Sequence, residues 1–306
     1  MIRHFKEEYV PINGISQYFL HNPNDASEAV ILMLHGGPGI PNSYAAYEHQ
    51  PYVHFCSVVY YDQRGAGKTQ LKNRSTPESL SLHVLLNDLK QTIQHVKKEY
   101  QTDRIFLAGH SWGTVLGTQY IIKYPHDVSG YIGYGQCVVT SAQDKNWYER
   151  LKEKVFKAGK KEDIEMFNAV NPHFPNVVRN DFDKATALLN ELEAKYGYKA
   201  NDWVEIYKKS PAMTHEDWNL IEEECSQKLA GDVFYDYDIR SVREYQVPIY
   251  YLLGRYDEWT SSEITAAYFD TISAPEKRLY WIENAGHMVD TDNPMDFFNA
   301  IREITM

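Results

Sequence analysis

Cysteine is scarce in this chain of 306 residues: Cys56, Cys137 and Cys225 lie far apart, with no CxxC pair and an odd count. That spacing holds no readable disulfide framework, so reduced thiols are expected. Long apolar runs are missing as well. The longest, Ala29 to Leu34, is six residues, far short of a bilayer span. The opening MIRHFKEEYVP lacks the continuous apolar core of a signal peptide, which together with the thiols predicts a cytoplasmic protein. Basic residues are outnumbered, 31 Lys and Arg against 42 Asp and Glu, for a net charge of −11. Non-specific binding to nucleic acid or to an anionic membrane is excluded on that balance. There is no HExxH, no Cys/His cluster and no phosphate-cradling GxxxxGK[ST], so neither metal nor cofactor is expected. What is abundant is ordinary: 43% hydrophobic and 24% charged residues, the profile of a soluble globular chain.

Short strand-like runs alternate with amphipathic stretches, the rhythm of a mostly parallel sheet flanked by helices, an α/β fold. Residues 4–12 and 16–21 read as two strands joined at Asn13-Gly14, a hairpin dipeptide. AVILML at 29–34, SVVYY at 57–61, RIFLA at 104–108 and 128–135 follow as strands. Leu85, Leu89, Ile93 and Val96 form one apolar stripe on a helix over 82–100. From 137 to 243 the pattern turns helical and charged, and strand-helix alternation resumes at 247–253 and 278–282. The organisation expected is therefore a core of 1–136 and 244–306, with a helical cap of 137–243 inserted after the sixth strand. A loop of that length without structure of its own would be out of place in a compact domain.

Ser111 lies in Gly109-His110-Ser111-Trp112-Gly113, between an apolar strand and a small-residue helix start. A sharp strand-to-helix turn of this kind presents a serine as a nucleophile, and the helix start offers N–H groups to an anion forming there. A serine needs a base. The chain has twelve histidines, and His287 falls just after the last strand, on the carboxyl edge of the sheet that Ser111 must share. The base needs an orienting carboxylate, and Asp257 follows the strand IYYLL at that same edge. Glu258 and Asp144 are weaker candidates for that role. For the oxyanion the amide of Trp112 and one from the His35-Gly36-Gly37-Pro38-Gly39 turn, Gly37 foremost, are the expected donors. His35 and His110 read as turn-bracing or packing residues.

With those residues placed, the chain resembles the α/β-hydrolases, and among them the branch of proline iminopeptidases and tricorn-interacting aminopeptidases. The motifs are HGGPG at 35–39, DQRGAGKT at 62–69, GHSWGT at 109–114, GRYDEWT at 254–260 and GHM at 286–288. The resemblance implies an α/β-hydrolase fold with Ser111, Asp257 and His287 as nucleophile, acid and base. It further implies release of an N-terminal residue, often proline, from peptides beneath a helical cap. An α-ammonium calls for a carboxylate. By resemblance Glu258, straight after the triad aspartate, takes that part, and Glu224 in the run 222–224 is the nearest match to a second, cap-borne glutamate. Three positions depart from the branch: His110 in the serine turn, Thr260-Ser261 after the aspartate, and an unmatched cap. All three are expected on the substrate side.

The activity expected is therefore that of a serine hydrolase, an aminopeptidase on short peptides, with a carboxylesterase or other small-molecule hydrolase as the alternative. The partner expected is a small peptide, amide or ester substrate. The sequence leaves the oligomeric state open.

Overall fold

A computed structural model of the chain describes residues 4–74, 80–223 and 237–306. Eight strands form one sheet: β1 (Lys6–Ile12), β2 (Ile15–Asn22), β3 (Val30–Leu34), β4 (Ser57–Tyr61), β5 (Ile105–His110), β6 (Val128–Tyr134), β7 (Ile249–Gly254) and β8 (Lys277–Ile282). Their spatial order is β1-β2-β4-β3-β5-β6-β7-β8. β1 pairs with β2, and β2 with β4, antiparallel; every later neighbour is parallel. The hairpin closes at Asn13 and Gly14, which both take positive φ (45° and 87°), the twist that suits adjoining strands.

Strands β3, β4 and β7 are buried along their whole length, which is why their sequences are continuously apolar or aromatic instead of alternating. Successive side chains still point to opposite faces. Leu32 and Leu34 join an apolar cluster with Leu85, Leu89, Ile93 and Val96 of helix α3 (Leu82–Glu99). Ile31 and Met33 join a second cluster on the other face with Phe297, Phe298 and Ile301 of the last helix, Pro294–Thr305. Two short helices, α1 (Ala46–His49) and α2 (Gly67–Lys72), precede α3, and α4 (Trp112–Lys123) follows β5. α4 is buried almost all round, as a helix wedged between sheet and neighbours must be.

β5 runs two residues beyond the RIFLA strand read from sequence. Gly109 and His110 stay in the sheet because β5 is central and is held on both sides, Leu34 opposite Gly109 and Tyr134 opposite His110. The turn is thereby compressed to Ser111 alone, and α4 starts at once with Trp112.

Between β6 and β7 the described residues form α5 (Thr140–Ala158), α6 (Lys161–Asn168), α7 (Arg179–Tyr196), α8 (Trp203–Lys209) and α9 (His215–Glu223). Trp147, Leu151 and Val155 at i, i+4, i+8 on α5 meet Phe167 of α6 and Ala185, Leu189 and Leu192 of α7 in an apolar cluster of their own. The chain leaves and returns at one place: Val139 bridges Asp238, and the Thr140 amide donates to the Tyr237 carbonyl at 3.0 Å. These helices lie over the carboxyl edge of the sheet. Among the described residues no helix is long and apolar enough to cross a membrane.

Candidate active site

Ser111 stands between β5 and α4 with φ 49° and ψ −115°, a conformation L-residues avoid. Such a backbone costs on the order of 1–3 kcal/mol and persists only where its surroundings hold it. Here the Ser111 amide donates to the Tyr134 carbonyl at 3.1 Å, and the Ser111 carbonyl accepts from the Thr114 amide (2.8 Å) and hydroxyl (2.6 Å). The HGGPG turn closes on the same point. A Cβ on Gly36 would stand 2.8 Å from His110 Nδ1 and 3.3 Å from Ser111 Cβ, so only glycine fits there.

The DQRG segment braces this arrangement. Gln63 donates its amide to His35 Nε2 (3.1 Å) and its side-chain nitrogen to the His35 carbonyl (3.2 Å), and its Oε1 accepts from the Trp112 indole at 3.0 Å. His35 then carries its proton on Nδ1 and donates it to the Gly36 carbonyl at 2.9 Å. Burial pushes His35 down to about 4, which keeps that neutral tautomer at neutral pH. Asp62 accepts from the Ser43 hydroxyl (2.7 Å) and the Lys68 amide (2.8 Å), fixing the segment from its other end.

His287 follows β8 and Asp257 follows β7, and the two meet. His287 Nδ1 lies 3.1 Å from Asp257 Oδ2. Burial alone would lower the imidazole, but the charge and hydrogen bond of Asp257 outweigh it and hold His287 above its ordinary value. Asp257 moves the opposite way: burial would raise it, and His287 with Thr260 brings it below the ordinary carboxylate range. The loop carrying His287 is clamped twice. His110 Nε2 donates to the His287 carbonyl at 3.0 Å, and Asp292 accepts from the Gly286 amide (2.8 Å) while also holding the Ala200 amide (2.9 Å). His110 is pushed down to about 3, first by burial and then by His287, so it braces as a neutral ring.

Thr260 was expected on the substrate side, and the structure puts its hydroxyl on the Asp257–His287 pair as well as on the cavity wall. It donates to Asp257 Oδ2 at 2.7 Å and lies 3.2 Å from His287 Nδ1, while its amide donates to Asp257 Oδ1 at 3.0 Å. Thr260 closes the motif GRYDEWT, three residues after the aspartate, and a tight turn that folds back brings its hydroxyl to the pair. Thr260→Val is expected to lower kcat roughly tenfold with KM little changed, and Thr260→Ser to restore most of it, since one hydrogen bond to a charged group is lost and regained. A KM rise without a kcat change would instead place Thr260 in substrate contact.

A cavity of about 620 Å³ opens over Ser111, walled by Gly37, Pro38, Trp147, Trp259 and Thr260 below and by α7, including Asn180 and Phe182, above. Trp147 stacks on Trp259 with ring centres 5.6 Å apart, and Trp259 lies 4.9 Å from the His287 ring. Cys137 also lines the cavity, but burial pushes its thiol up to about 12, so it stays protonated and is no rival nucleophile. Trp112 opens α4, where backbone N–H groups have no carbonyl four residues back inside the helix.

The substrate-amine residues fare differently. Glu258 is ion-paired with Lys154 of α5, so its charge already has a partner. Glu224 lies outside the described residues. Asp144 does not reach the His287–Asp257 pair as an acid; it lines the cavity instead. A second groove of about 660 Å³, between Tyr44, Tyr47 and the 201–211 segment, contains none of the residues named for catalysis. Among the described residues no group of acidic, histidine and cysteine side chains is arranged to hold a metal.

Known proteins resemble this chain over most of its length. Residues 25–294 match the family described as serine aminopeptidase, S33. A probable aminopeptidase of Bacillus subtilis, YbaC, is 25% identical over 95% of this chain and 93% of its own length. A proline iminopeptidase of Heyndrickxia coagulans is 22% identical over 97% of both chains. Among solved structures, a proline iminopeptidase-related protein of Thermus thermophilus superposes with a TM-score of 0.66 at 19% identity, covering 98% of this chain and 96% of the other. An epoxide hydrolase of Vigna radiata shares the fold too, with a TM-score of 0.58 at 17% identity over 98% of this chain and 97% of its own, so the architecture alone does not choose the chemistry. The chain has the α/β-hydrolase fold and belongs to the serine aminopeptidase family S33.

Proposed function

We propose that this protein is a serine aminopeptidase that releases an N-terminal residue, proline among the candidates, from short peptides through an acyl-enzyme on Ser111. The observation that carries the reading is the strained Ser111 backbone on a cavity beside the hydrogen-bonded His287–Asp257 pair. With Nδ1 given to Asp257, the nitrogen left for catalysis is His287 Nε2. It takes the Ser111 proton as Oγ attacks the carbonyl carbon, and the Asp257 carboxylate stabilises the imidazolium. The oxyanion is received by the amides of Gly37 and Trp112. As the scissile C–N bond breaks, His287 returns the proton to the leaving amine. Water, deprotonated by the same imidazole, then attacks the ester and frees the residue and Ser111.

A rate panel on purified protein tests this: alanyl, prolyl and leucyl arylamides, their N-acetylated forms, and a short-chain nitrophenyl ester. Cleavage of the free-amine arylamides, falling roughly tenfold to a hundredfold on acetylation, is the expected result. Turnover of the ester alone would establish the carboxylesterase reading, which the pairing of Glu258 with Lys154 favours.

A further inference from the structure

Every other carboxylate that the site residues bring together is already engaged. Asp257 holds His287 and Thr260, Glu258 holds Lys154, Glu193 accepts the Trp147 indole at 2.8 Å, and Asp183 holds Arg179 at 2.9 Å. Asp144 differs. It lies in the second turn of α5 on the wall of the cavity that contains Ser111, and among the described residues no hydrogen bond or ion pair reaches its carboxylate. Lys184 of α7 lines the same cavity without forming an ion pair to it. Burial pushes Asp144 up to about 7, which expresses the cost of a charge held there without a counter-ion.

The position is also fixed. Gln143, the adjacent residue, is buried and pins the start of α5 to the core. Its Oε1 accepts from the Val138 amide at 2.9 Å, and its Nε2 donates to the Gln136 carbonyl at 3.0 Å and to the Thr260 carbonyl. Asp144 is therefore held relative to the loop after β7 that carries Asp257 and Thr260. A carboxylate so placed lacks one thing, a cation with several donors, and a substrate ammonium has three N–H groups and a full charge.

We propose that Asp144 is the residue that receives the substrate's N-terminal ammonium and so sets the preference for peptides with a free amine over amine-free esters. The assignment rests on the aminopeptidase reading and moves the part expected of Glu258 to a different element. Binding then brings a charge to a group that is unpaired in the empty site, and the ion pair forms in a space walled by Trp147 and Trp259, where it is weakly screened.

Asp144→Asn keeps the shape and removes the charge. Steady-state kinetics of the wild type and this variant would be measured on alanine p-nitroanilide and on p-nitrophenyl propionate, which lacks the amine. The expected result is a KM for the anilide raised roughly tenfold to a hundredfold, with a much smaller loss on the propionate. The variant should melt at or above the wild-type temperature, because a half-buried charge without a protein partner has been removed. A wild type that cleaves the anilide and a variant that keeps its KM would overturn the assignment alone. Equal losses on both substrates, or a lowered melting temperature, would do the same, since the carboxylate would then serve the fold or the triad. A wild type that turns over only the propionate would overturn the aminopeptidase reading, and this assignment with it.

Discussion

Ser111→Ala is expected to reduce turnover on the best substrate by on the order of 10⁶-fold while the protein stays folded. The size follows from the proposed role: the hydroxyl would supply the bond that forms, and without it only the oxyanion donors and substrate binding would be left to act. The folding expectation has a separate cause. The hydroxyl contributes nothing to the two sheet-face clusters, and the backbone bonds of Ser111 to Tyr134 and Thr114 remain available to alanine. Alanine inherits the strain at φ 49° as well, whereas Ser111→Gly relieves it. The glycine variant should therefore be as inactive as the alanine variant and melt at a higher temperature. Calorimetry beside the rate assay checks both, and a fully active Ser111→Ala would remove the proposed chemistry.

Asp257→Asn is expected to lower kcat by on the order of 10⁴-fold, because the amide presents the wrong hydrogen-bonding groups to His287 Nδ1 and no charge to the imidazolium. It should also move the pH dependence, in a direction set by burial of His287 against the carboxylates around it, Asp257 first and then Glu193 and Asp290. Burial lowers that imidazole and Asp257 raises it, with Asp257 prevailing in the wild type. The acidic limb of kcat/KM, which tracks protonation of the free enzyme's base, therefore lies above the ordinary histidine value in the wild type. Without the Asp257 carboxylate the largest raising influence is gone and the limb shifts to lower pH. A variant with residual activity whose limb stayed in place would show that another group titrates there.

Much of this arrangement could be read from the sequence because topology does the work. In a parallel sheet every strand ends at the same edge, so the loops with Ser111 after β5, Asp257 after β7 and His287 after β8 open on one edge without any detailed knowledge of packing. The Asn13-Gly14 hairpin and the α3 stripe are local signals of the same directness. His35 and His110, read as bracing residues, do brace, through Gln63 and through the His287 carbonyl. What escaped the sequence depends on helices whose faces are set by tertiary contact. Which side of α7 covers the cavity, and that Lys154 reaches Glu258 across 104 residues of chain, follow from how α5 docks, and periodicity does not encode docking. Asp144 was visible as a carboxylate after β6, yet its lack of a partner is a property of the assembled cavity. Thr260, a departure expected on the substrate side, does line the cavity; that its hydroxyl also meets Asp257 and His287 comes from a turn that folds back, which the family pattern does not encode.

Covalent labelling decides whether Ser111 is the nucleophile. Wild-type protein and Ser111→Ala would be treated with a fluorophosphonate, weighed intact, digested and mapped. A single adduct is expected on the wild type, located on Ser111, with loss of activity in step with labelling and no adduct on the variant. An adduct on another residue that inactivates the enzyme, or an unlabelled Ser111 in an active enzyme exposed to excess reagent, would contradict it.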